Sequence, residues 1–139
     1  MTPHETTKRK VLAEWLSKAD DDLGLAEHLL GESSLYPNAI TFHCQQAAEK
    51  YLKALLVWRE TAFPKTHDIK ALLNLLAVSD AALVASLQEA IVLTSYGVEI
   101  RYPGDRPDAT PENAHEAVEL ARKVQKAVLN TLSRFEVTG

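Results

Sequence analysis

Arg101, Arg106 and His115 fall within one turn-rich stretch, YGVEIRYPGDRPDATPENAHE at residues 96–116. They are the side-chain types that metal-free cleavage of a phosphodiester requires. In that reaction a 2′-hydroxyl loses its proton, the leaving oxygen gains one, and a cation holds the charge of the phosphorane. Arg101 has two readings. At the end of a helix, its cation complements the carboxyl-terminal dipole while Pro103 enforces the stop and Tyr102 packs across the bundle end. Alternatively its forked guanidinium contacts phosphate, which it suits better than an ammonium does. His115, on the flank of the last helix, reads as a surface residue. His67 and Asp68 follow Thr66 at the start of a short helix. There Asp68 complements the helix N-terminus and His67 hydrogen-bonds a neighbouring carboxylate or carbonyl, a reading preferred here to catalysis.

Other chemistries find fewer residues. A di-iron bundle needs two Glu-x-x-His pairs on separate helices, and only Glu112–His115 has that spacing, so no metal is expected. The run Asp20-Asp21-Asp22 sends its carboxylates about 100° apart on a helix and reads as a solvated face. The five glycines are scattered and build no phosphate loop or dinucleotide fingerprint, so no cofactor is expected. Cys44 reads as a small core residue.

Composition bounds the setting. The 139 residues suffice for one domain with a single core, taken as residues 1–139 with the core at about 11–136. A net charge of −4 argues against a protein whose main task is coating nucleic acid. No apolar run is longer than Ala54–Trp58, far short of the roughly 20 residues of a membrane span. The N-terminal MTPHETTKRK is followed by no apolar stretch, so no secretory signal is read, and a lone cysteine fits a reducing cytoplasm.

The elements that must position these residues are helices. Leu12, Leu16, Ala19, Leu23, Ala26 and Leu30 form a stripe at alternating steps of four and three, stopped by Gly31 and Ser33-Ser34. After Pro37 a second helix runs to about Glu60 with Cys44, Ala48, Tyr51, Leu52, Leu55 and Leu56 on one side. His43, Gln46, Lys50 and Lys53 lie on its polar side, with Glu49 and Lys53 spaced as an i,i+4 pair. Thr66 is the expected cap of a short helix. Ser79 or Asp80 caps the next, with the stripe Leu83, Leu87, Ala90/Ile91, Thr94 and Val98. The last helix opens on Thr110-Pro111 and turns Ala114, Val118, Ala121, Val124, Val128, Leu132 and Phe135 inward. Nothing alternates with period two. The fold class expected is all-α: an antiparallel up-and-down helical bundle of four long helices and one short one. Trp15, Leu25, Leu29, Trp58 and Phe63 lie off or at the edges of the stripes, an apolar surplus of the kind that marks an interface.

QQAAEKYLKALL at 45–56, THDI at 66–69 and EIRYP at 99–103, in that order and separation, resemble the HEPN family over about residues 11–136. The resemblance implies a helical bundle, usually a homodimer. Such proteins are often paired with a minimal nucleotidyltransferase in a toxin–antitoxin or related module. It further implies association with nucleotides, and in one branch metal-independent endoribonuclease activity. That branch carries an arginine followed, after four to six residues, by a histidine. Here Arg101 to His115 leaves thirteen residues between, Arg106 to His115 eight, and Arg59 to His67 seven, so the motif is missing. The expected function is therefore the interaction and regulatory half of a nucleotidyltransferase module. It would bind nucleotide or RNA at a groove lined by Lys50, Lys53, Arg101 and Tyr102. The rivals are an endoribonuclease using a displaced pair, Arg106 and His115, and a ligand-free helical adaptor.

Overall fold

Thr2, Pro3 and Glu5 start the first helix well before its apolar stripe. Thr2 Oγ1 accepts from the Glu5 amide at 3.1 Å, and Glu5 Oε2 accepts from the Thr2 amide at 2.9 Å. With Pro3 at the first helical position this is a capping box, and α1 spans Pro3–Glu32. The computed structural model describes residues 1–32, 35–97, 102–104 and 107–138, for Glu32 and 135–138 the backbone only. Arg101, Arg106, Val98, the Ser33-Ser34 stop and the Phe135 side chain lie outside the described residues.

The later helices are α2 (Pro37–Trp58), α3 (Ile69–Ala77), α4 (Ala81–Ser86), a 3-10 helix (Gln88–Tyr96) and α5 (Pro111–Thr138), with no strand among the described residues. Helix α5 begins as its sequence predicts, with Thr110 Oγ1 accepting from the Asn113 amide (3.1 Å) and Asn113 Oδ1 from the Thr110 amide (2.9 Å). Helix α3 starts later than Thr66 suggests. Asp68 is its cap, accepting from the Lys70 amide at 3.0 Å, while Thr66 Oγ1 holds the Asp68 amide at 3.1 Å. Asp80 caps α4.

Helix α2 ends in a Schellman turn, with Thr61 N–H bonding to Leu56 O and Glu60 N–H to Val57 O. Glu60 takes the left-handed position at φ 51°, where glycine is the usual residue. Its side chain meets His4 and Lys8 from the first turns of α1. The His4 hydrogen bond, then Lys8, hold the Glu60 carboxyl below its ordinary value. Lys8 and Arg9 also lie over the Trp58 ring, 4.4 and 5.6 Å from its centroid. The capping box thus extends α1 across the far end of α2.

Contacts across the helices fix their directions. Trp15 meets Lys53 and Asp22 meets His43 and Lys50, so α1 and α2 are antiparallel. Asn38 meets Asp108 and Ala109 while Tyr51 meets Gln125, so α2 and α5 run the same way. The α4–3-10 stretch supplies the intervening return, which makes the long strokes of the bundle up-and-down, with α3 as the short extra helix. α2 packs against α1, α5, α3 and the 3-10 helix, and its buried residues occupy nearly the whole circumference.

The fourth expected helix is divided. Leu83 and Val84 carbonyls are taken by side chains, Ser86 Oγ at 2.6 Å and Gln88 Nε2 at 3.0 Å, and Leu87 N–H turns to Val84 O. After the buried pair Leu83 and Val84, the buried residues fall at Leu87, Ala90 and Leu93, with Tyr96 half-buried. A spacing of three is the repeat of a 3-10 helix, which sets i and i+3 in one row. The apolar surplus also resolves. Trp15, Leu29, Trp58 and Phe63 pack against the core, and Leu25 is the one of the five that is exposed.

Candidate functional site: two carboxylate–histidine–lysine clusters

Gln45, Glu49 and Lys53 recur every fourth residue of α2 and therefore share one face. That face is covered by the segment leading into α3 and by the end of the 3-10 helix, and all three side chains are buried. Burial obliges their polar atoms to find partners. Glu49 Oε2 accepts from Lys53 Nζ at 2.9 Å. Glu49 Oε1 accepts from Gln45 Nε2 at 3.2 Å and faces His67 Nδ1 at 2.8 Å. Gln45 Nε2 also donates to the His67 backbone carbonyl at 3.0 Å, and Gln45 Oε1 accepts from Gln46 Nε2 at 2.7 Å. The Lys53 ammonium lies 5.5 Å from the Trp15 ring centroid and 5.8 Å from that of Phe63, two rings packed edge to face. Its charge therefore rests on one carboxylate and two π faces.

The Glu49 side chain is 4% exposed, that of His67 66%. A carboxylate facing Nδ1 makes that nitrogen the donor and directs Nε2 outward. Two further contacts fix the segment: Thr94 Oγ1 accepts from the Ile69 amide at 3.1 Å, and Gly97 lies directly on Gln45. A Cβ at Gly97 would stand 2.6 Å from Gln45 Cδ, so the close approach needs glycine.

A second cluster repeats the composition. Asp22 of α1 faces His43 Nδ1 at 2.9 Å through one oxygen and accepts from Lys50 Nζ through the other. Beside it Tyr51 donates to Asp20 and accepts from Gln125 Nε2 at 2.9 Å, joining α1, α2 and α5. Burial, then the Asp20 hydrogen bond, push the Tyr51 phenol above its ordinary value. Burial, then the charge of Glu27, push the Cys44 thiol up to about 12. Arg122 pairs with Glu27 at 2.6 Å on the same side. The aspartate run is thus not simply solvated: Asp20 and Asp22 reach different partners on α2, as their divergence on a helix requires.

Of the residues singled out in the sequence, Lys50 and Lys53 sit in different clusters, each on a carboxylate. Tyr102 and His115 are exposed. Arg101 and Arg106 lie outside the described residues. Among the described residues no group of three His, Cys, Asp or Glu side chains is placed to hold a metal ion. No described helix is long and apolar enough to cross a membrane. Sequence reasoning passed over Gln45, Glu49 and Asp22 as site residues. The signal for the first two was a polar step of four repeated on an otherwise apolar helix.

A sequence profile of the HEPN domain matches residues 12–131. Among solved structures the chain is similar to TT1696 from Thermus thermophilus, with 33% identity and a TM-score of 0.70, over 86% of this chain and 96% of that one. No curated protein matches it.

Proposed function

We infer that this chain, which belongs to the HEPN domain family, is the interaction and regulatory half of a nucleotidyltransferase-associated module of toxin–antitoxin type. It works in the cytoplasm as a homodimer and binds a phosphate-bearing ligand, a nucleotide or RNA. Partner and dimer rest on the family; the ligand rests on one observation. A charged pair and an amide sit inside the central helix, where leucine would stabilise the bundle as well or better, and they hold one histidine at the surface. Tyr102, with Arg101, remains the proposed flanking contact, while Lys53 acts through Glu49 and Lys50 is held on Asp22 in the other cluster.

The test is calorimetric titration with AMP and with a short oligoribonucleotide at fixed salt, because ionic contacts weaken as salt rises. Saturable binding is expected, weakened by Arg101→Lys without loss of thermal stability. An absence of binding to either ligand overturns the ligand reading, and a monomer mass in sedimentation overturns the dimer. The Glu49–His67 pair also favours a second reading, an endoribonuclease with His67 as its base. RNA left intact by the purified protein in EDTA removes that reading.

A further inference from the structure

We propose that His67 is the phosphate contact of this site, and that it holds phosphate only as an imidazolium, oriented by the buried Glu49 on Nδ1. The proposal rests on the phosphate-ligand reading above and names the atom, Nε2, that carries it.

With the ring neutral, the proton sits on Nδ1 facing Glu49, and Nε2 presents a lone pair to solvent. A lone pair repels a phosphate oxygen. Glu49 and Lys53 then cancel each other, so the cluster offers an anion no net charge. Proton uptake at Nε2 changes both conditions at once. Nε2 becomes a donor directed at solvent, and the cluster gains one positive charge that neither Glu49 nor Lys53 can move to meet, because both are buried. An anionic ligand completes the balance. The bond it forms is charge-assisted, the strong class of hydrogen bond.

The surroundings leave this role to His67. From α2 the groups around it are Glu49 and Lys53, which are charged, and Gln45 and Gln46, which are not. From the 3-10 helix and its end, Thr94 and Gly97 carry no charge. On its own segment Asp68 is committed to the Lys70 amide, and Lys65 is exposed and adds to the attraction for an anion. The ring is positioned in advance, since Gln45 holds its backbone carbonyl and Glu49 its Nδ1. Ordering on binding therefore costs little. A phosphate and a carboxylate share this chemistry, so the probes must separate them.

The experiment titrates the full-length protein with AMP, inorganic phosphate, acetate and adenosine, reading heat and the ring nitrogen signals of His67. Histidine changes charge between about pH 5 and 8, and the AMP phosphate gains its second charge at about pH 6, so the affinity of wild type relative to His67→Gln, which shares the ligand's ionisation, should fall about tenfold from about pH 6 to about pH 8. His67→Gln, at an exposed position, should bind AMP about tenfold more weakly at about pH 6 and keep only the pH dependence of the AMP phosphate itself. Phosphate, with up to two charges against the single charge of acetate, should shift the Nε2 signal more than acetate does, and uncharged adenosine should shift it little. AMP binding by His67→Gln equal to wild type, or a pH dependence in wild type no different from that of His67→Gln, overturns this proposal and leaves the ligand reading standing. A shift of Nε2 with acetate equal to that with phosphate also overturns it. A wild type that binds neither AMP nor phosphate removes both.

Discussion

Two clusters on α2 hold the same three groups, a carboxylate, a histidine and a lysine, and put them to different use. In one, Glu49 and Lys53 belong to a single helix and the histidine arrives on the segment before α3. In the other, His43 and Lys50 belong to α2 and the carboxylate arrives from α1. The first buries its charged pair and displays its histidine at 66% exposure. The second keeps its histidine at 28% and its lysine at 22%, so neither is presented. The element that delivers the odd group decides the outcome. A carboxylate brought by a neighbouring long helix staples two helices, whereas a histidine brought by a connecting segment faces outward.

Removing the lysine should separate the clusters most. Lys53→Met leaves Glu49 buried without its cation and should cost about 3–5 kcal/mol, whereas Lys50→Met beside the wetter Asp22 should cost about 1 kcal/mol or less. Urea midpoints measure both, and equal shifts would erase the distinction in burial. The double variant Glu49→Leu with Lys53→Met should regain most of the loss, since an apolar pair fits where an ion pair did.

Glycines sharpen the comparison next. Gly97→Ala drives a methyl into Gln45 and should cost about 1–3 kcal/mol, loosening the His67 segment as well. Gly24 on α1, with nothing within 4 Å of an added Cβ, should gain about 0.5–1 kcal/mol on change to Ala. Thermal unfolding gives both signs, and a neutral Gly97→Ala would mean that Gln45 yields freely.

An effect absent at neutral pH is alkaline and belongs to the Asp22 side. The Cys44 thiol rises from its ordinary 9.0 to about 12 in the folded chain. The unfolded chain therefore gives up that proton first as pH rises. The stability linked to it is complete below about pH 9 and drains away as pH climbs through the folded value. Tyr51, shifted the same way, adds to the loss. Denaturation midpoints should hold through neutral pH and drop above pH 9.0, and alkylation of Cys44 at neutral pH should await unfolding. Prompt labelling of the folded protein would contradict its burial.

The long strokes of this fold are readable in the sequence because apolar residues at steps of three and four leave little choice. Thr110-Pro111 and Asp80 announce their helices in the same way. Thr2 and Glu5 carried an equally good start signal, hidden because no apolar stripe follows it for several residues. The step of three from Leu87 to Tyr96 resembles an α stripe wherever Ile91 is admitted as an alternate to Ala90, and burial decides between them, since Ala90 is buried and Ile91 only half-buried. The candidate site was harder still. An amphipathic helix is assumed to have a wet side, and α2 is covered over most of its surface by elements far along the chain. Lys53 thus reads as a solvent lysine until α3 and Phe63 are laid over it.

The tighter winding of residues 88–96 has a consequence for reach. Nine residues rise about 18 Å in 3-10 form and about 13.5 Å as an α-helix. Rewound as α, the same residues would fall short by more than a hydrogen bond's length. Thr94 would then come away from the Ile69 amide and Gly97 from the flank of Gln45. The row of three is thus a spacer, and its length decides whether the surface histidine has a floor beneath it.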